Sequence, residues 1–79
     1  MLVHLGGDVV VEAREVIAIL DARRLRRASG SADRGRGPAW ESARSLVVTT
    51  SGIHPAPISP VAAARRIGQA ARFRGLRNG

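Results

Sequence analysis

A chain of 79 residues has room for a single small domain. Domains of this size bury about 60% of the surface their unfolded chains expose, so disulfides, metals or oligomerisation usually add stability. With no cysteine, and with His4 and His54 as the only histidines, a disulfide framework and a thiolate metal site are excluded, and self-association is the expected source.

All thirteen basic residues are Arg, against six acids, for a net charge of +7. Residues 1–21 hold four acids and one Arg (−3), whereas residues 22–79 hold twelve Arg and two acids (+10). A field of this sign and size attracts polyanions, nucleic acid first among them. No run approaches the roughly 18 apolar residues of a membrane span. The opening MLVHLGGD lacks the basic flank of a signal peptide. A cytoplasmic location without a membrane partner is expected.

Leu2 to Leu5 reads as a short first strand. Gly6-Gly7 then supplies the positive φ of a tight turn into a second strand, Asp8 to Glu12. That run and Val16 to Leu20 are dominated by Val and Ile, as strands prefer. Only Ala13, Arg14 and Glu15 separate them, which predicts a sharp reversal and a rigid hairpin. Neither run alternates cleanly. Val9 and Val11 point one way and Val10 the other, while Ile17 and Ile19 oppose Val16, Ala18 and Leu20. A sheet apolar on both faces needs cover on both.

After Asp21 the composition changes. Residues 22–28, ARRLRRA, are helix formers, but their four arginines repel one another and limit the expectation to one helical turn. Residues 29–38, SGSADRGRGP, are turn and loop formers. Within a single domain of 1–79, residues 22–43 therefore read as a basic, flexible connection.

Order is expected again near Trp40. Arg44 to Thr50 is a third strong strand, with Leu46 and Val48 facing away from Val47, and Ser51-Gly52 forms a turn. Ile53 to Ile58 carries Pro55 and Pro57 and fits only an edge or irregular strand. Ser59-Pro60 is a helix start, a side-chain cap followed by proline at the first helical position. The following VAAARRIGQAARF sets Val61, Ala64, Ile67/Gly68 and Ala71 at core spacing and leaves Arg65, Arg66 and Arg72 for the outer face. Residues 74–79 are expected to fray. The fold class is α+β, a small antiparallel sheet of four to five strands with a C-terminal helix.

No motif places a nucleophile beside a base. His54 has no acid close in sequence, and His4, Asp8 and His54 fall short of a metal-ligand set. Gly6-Gly7 lacks the Gly-Lys-Ser/Thr ending and the following helix of a phosphate loop. An enzyme, a cofactor and a small-molecule substrate are all unexpected. The arginines are the candidate site. Arg14 has two readings: it neutralises Glu12 and Glu15, a surface pairing that contributes little, or it presents a planar, permanent cation to phosphate. Arg44, opening its strand, has the same two. Arg23, Arg24, Arg26 and Arg27, with Arg34 and Arg36, form a cluster of the kind that binds phosphates without sequence choice. Trp40 and Phe73 are too few for a base-stacking platform and read as hydrophobic anchors, so double-stranded DNA is favoured over RNA.

One ordered set of residues resembles a known family. His4-Leu5-Gly6 with Asp8, Val10-Val11, Arg14-Glu15, the apolar run ending at Asp21, Arg44-Ser45-Leu46-Val47-Val48-Thr49, and Pro57-Ile58-Ser59 before a basic helix are similar to the Rem-type extracellular matrix regulators of bacteria, nearest the RemB branch. The likeness covers about residues 1–21 and 44–67. It implies a small α+β protomer in a closed, homo-oligomeric ring that binds DNA as a transcriptional regulator of biofilm-matrix genes. Under it Arg14 is the turn arginine and Arg44 the strand-opening arginine that hold the duplex. Where the RemA branch carries an arginine pair, this chain reads Glu41-Ser42. The 22–36 cluster is then the candidate replacement at that edge. Two other readings remain open: a ring-forming partner of another regulator without DNA binding of its own, and an RNA- or ribosome-associated basic protein.

Overall fold

In the computed structural model, described over residues 1–29 and 37–73, Gly6 and Gly7 reverse the chain at φ +98° and +56°. The Leu5 amide donates to Val9 O at 2.9 Å and the Val9 amide to Gly6 O at 3.0 Å, closing the turn. Leu2–His4 (β1) thereby pairs antiparallel with Val10–Glu12 (β2), with Val3 opposite Val11. Those two valines are buried while Leu2, His4 and Val10 are exposed, the two-residue alternation of a sheet with one covered face.

The chain does not then fold back on itself as a β2–β3 hairpin. Ala13–Glu15 forms a 3-10 turn that hands it from one sheet to another. The turn is tied at both ends: the Ala13 amide donates to Met1 O, and Glu15 O accepts from the Thr50 amide. Val16–Asp21 (β3) pairs antiparallel with Ser45–Thr49 (β4), and β4 with Gly52–Ala56 (β5). In place of one sheet of four to five strands there are two antiparallel sheets, of two and three strands, with a C-terminal helix. The α+β class stands.

That helix, Pro60–Phe73 (α3), starts where Ser59-Pro60 predicts it, with Ser59 Oγ accepting from the Ala62 amide at 3.1 Å. Its buried residues are Ala63 and Ala70, with Ile67 packed beside them, whereas Val61 is 67% exposed and Ala64 is also exposed. The inward stripe is thus rotated from the expected Val61–Ala64 face. Arg66, expected outward, donates from Nη1 to His4 O at 2.9 Å and fastens the helix to β1. The side chains at 71–73, including Arg72 and Phe73, lie outside the described residues, as does the tail 74–79 expected to fray.

The main core lies where α3 and the two sheets meet: Val3, Leu5, Val11, Ala13, Val47, Ala56, Ala63 and Ala70, with Ile19 and Ile67 against them. On the opposite face of the three-stranded sheet, Leu46 is covered by Ala22, Ala43 and Trp40. Trp40 is the anchor its sequence context suggests. Beside this patch, the row Ala18–Val48–Ile53 continues the same face, and Ile53 is 48% exposed. The register shifts between Val16 and Ala18. The residue between them, Ile17, is 66% exposed.

At β5 the expectation of an edge strand is met. Ala56 O accepts from the Arg44 amide at 2.9 Å, so Ala56 directs its backbone groups toward β4. Alternation then points the nitrogen of Pro55 at the outer edge, where the missing donor breaks no ladder bond.

Candidate nucleic-acid interface

Asp21 sets up the basic helix. Its carboxylate accepts from the Arg23 amide at 3.0 Å and the Arg24 amide at 3.2 Å, capping donors that have no partner inside a helix. Ala22 is buried, and its amide donates to Arg44 O at 3.2 Å. The result is an eight-residue helix, Ala22–Ser29 (α1), where repulsion among arginines suggested a single turn in a flexible connection. A second short helix, Pro38–Ser42 (α2), follows the residues 30–36 that lie outside the description, among them Arg34 and Arg36.

The four arginines of α1 divide into two groups. Arg26 turns inward, with Nη1 donating to both Trp40 O and Ala43 O at 3.0 Å. Arg23, Arg24 and Arg27 are exposed. At 3.6 residues per turn these three fall within an arc of about 100°, opposite Ala22 and Leu25. The exposed Arg44 leaves the chain beside the first turn of α1, because its carbonyl receives the Ala22 amide. One end of the three-stranded sheet therefore gathers Arg23, Arg24, Arg27 and Arg44. Asp21, the acid that precedes α1, is committed to backbone amides there, and Glu41, three residues before Arg44, is exposed on α2.

Arg14 lies at the other end of β3. Six strand residues separate the two places, about 17–20 Å at 3.3–3.4 Å per residue. The Arg14 side chain is 63% exposed, with Nε 3.9 Å from Glu12 Oε2, and its amide donates to the same carboxylate at 3.1 Å. The Met1 ammonium donates to Glu12 at 2.6 Å. That bond first, and the Arg14 amide second, hold the Glu12 carboxyl below the usual carboxylate range. The structure thus brings Arg44 to the α1 arginines and leaves Arg14 apart, loosely paired with Glu12.

His54 Nε2 lies 3.2 Å from Thr49 Oγ1, which also meets Ser51 Oγ and Gly52 O. Among the described residues no acid completes this group, which fastens the β4–β5 turn. Among the described residues no three His, Cys, Asp or Glu side chains are placed to hold a metal ion. A shallow groove of about 260 Å³ between the Gly6–Val9 turn, Ala39, Ser42, Pro55 and Pro57 is mostly apolar. No helix among the described residues is long and apolar enough to cross a membrane.

Sequence reasoning missed the cap at Asp21 and the inward role of Arg26. The first had a signal: an Asp directly before a run of helix formers. The second had none, since its partners are backbone carbonyls 14 and 17 residues away. No family model, no curated protein and no solved structure matches this chain.

Proposed function

We propose that this chain is the protomer of a homo-oligomeric, Rem-type regulator that holds double-stranded DNA through arginine–phosphate contacts and controls extracellular-matrix genes. The observation that carries the DNA-binding part is the outward arc of Arg23, Arg24 and Arg27 with Arg44 at its foot. Four permanent, planar cations beside a carboxylate already used on amides suit a phosphate backbone rather than a base edge or a reacting group. The ring and the target genes rest on the sequence resemblance. Self-association is supported by apolar side chains left in water, Ile17 and Ile53 among them.

The second reading, a ring that binds another regulator, is favoured by Arg14. Its loose pairing with Glu12 and its distance from the other arginines suit a structural part. The deciding measurement is duplex binding as a function of salt for the wild type, for Arg14→Ala, and for the combined Arg23→Gln/Arg24→Gln variant. Removing one phosphate contact should lower the slope of log K against log salt by about 0.9. The α1 variant, which removes two such contacts, should show a decrease of about 1.8. If Arg14→Ala lowers the slope too, Arg14 also faces DNA; an unchanged slope assigns Arg14 to Glu12. Salt-insensitive or absent duplex binding by the wild type would move the protein-partner reading ahead, and a preference for structured RNA would favour the third.

A further inference from the structure

We infer that Arg26 is a positioning residue: by holding the two carbonyls at the end of α2, it sets the rotation at which α1 offers Arg23, Arg24 and Arg27 to a polyanion. The inference rests on the DNA-binding reading for its consequence, but its geometry stands on its own. Arg26 Nη1 carries two hydrogens, and both are used, one on Trp40 O and one on Ala43 O at 3.0 Å. Those carbonyls belong to the last turn and C-cap of α2, where a helix leaves acceptors unpaired and a cation is favoured. The bonds are partly buried, beside the patch that Ala22, Ala43, Leu46 and Trp40 form under α1.

The consequence follows from the length of α1. Eight residues make just over two turns, too short to persist in water on propensity alone. Ala22 is its one fully packed side chain among those described, and Leu25 remains 38% exposed. Ala22 and the Asp21 cap hold the first turn, and Arg26 bonds the second turn to α2. Without it, Arg27 and the turn around it lose their fixed place relative to Arg23 and Arg44. The four arginines of α1, alike in sequence, therefore play different parts: three contact phosphate and one aims them.

The test compares Arg26→Ala, Arg26→Lys and Arg27→Ala in the full chain. The readouts are amide hydrogen exchange across α1 without DNA and salt-dependent binding to a mixed-sequence duplex. Lysine keeps the charge and has three N–H donors, but its ammonium falls one bond short of the Nη1 position and lacks the rigid planar fork that fixes both bonds. Both Arg26 variants should speed exchange in the second turn of α1 about tenfold or more, the effect of losing one charged hydrogen bond. Both should also weaken DNA binding to a similar degree. Arg27→Ala should leave α1 exchange unchanged and lower only affinity and salt slope. Wild-type exchange in both Arg26 variants would overturn the inference. So would an Arg26→Lys that binds DNA like the wild type while Arg26→Ala loses about 0.9 of slope, since Arg26 would then be a phosphate contact. If the wild type binds no duplex, the functional reading fails, and the exchange comparison still decides whether Arg26 orders α1.

Discussion

Gly6 shows how one missing methyl group can decide a fold. At φ +98° an L side chain is strained, and a Cβ there would lie 2.8 Å from Pro57 Cγ and 3.2 Å from Ile58 Cγ2. The turn between β1 and β2 therefore packs directly on the segment that leads into α3. Gly6→Ala should lose about 1–2 kcal/mol from the backbone alone, and more from the clash. It should appear as a lower denaturant midpoint with an unchanged slope. Gly7, at φ +56° and with Pro57 no nearer than 4.0 Å, should accept asparagine at smaller cost. Glu12 makes a second residue-scale case. Because its folded pKa is depressed, its contribution is present above its unfolded pKa and is lost as pH falls through the folded value. Glu12→Gln should thus melt below the wild type at pH 7, and the two should converge as pH drops below about 4. A gap that persists at about pH 2 would assign the effect to packing instead.

Among the elements, α1 is where stability and the proposed binding can be separated. Asp21→Ala removes the cap on two amides and should cost about 0.5–2 kcal/mol. Replacing Arg23, Arg24 and Arg27 with Gln should leave the thermal midpoint nearly unchanged, because these side chains are exposed. A drop as large as that of Asp21→Ala would show that they support the fold. The elements also show what could be read in advance. Strand positions, the Gly6-Gly7 turn and the Ser59-Pro60 helix start are local events, and local residues announced them. Pairing is not local. Three residues between Glu12 and Val16 fit a hairpin as well as a 3-10 turn, and the bonds that choose reach Met1 and Thr50. In α3, alanine marks the core weakly, so Val61–Ala64 and Ala63–Ile67–Ala70 both satisfied a helical period. Of the candidate site, the identity of the arginines was legible, but their division into inward and outward was not. That division depends on carbonyls brought in by α2.

For the whole molecule, the uncovered apolar surface is the main unmet demand. Ile17, Ile53 and Val61 each leave about half or more of their area in water, and the main core is built largely of alanine and valine. Each such side chain covered by a neighbour would add about 1.5–3 kcal/mol. The chain should therefore be a stable oligomer at micromolar concentration. Light scattering that returned a persistent 8.4 kDa species would overturn this. Charge reversal at Arg23, Arg24 and Arg27 should leave the assembled mass unchanged, since their side chains are exposed and belong to neither core cluster.

Pro55 also limits what this sheet can become. Its nitrogen faces the outer margin of β5, and Pro57 follows just beyond, so an incoming strand finds few hydrogen-bond donors there. On the other margin, β3 is a six-residue strand with no proline and, on that side, no strand partner among the described residues. A sheet open on one side and closed on the other can accept one neighbour and then stops. Two copies joined at β3 would present only their β5 margins outward, which ends growth into a fibril after a single addition. A closed ring of more than two protomers must accordingly be joined elsewhere, through side-chain faces or the two-stranded sheet.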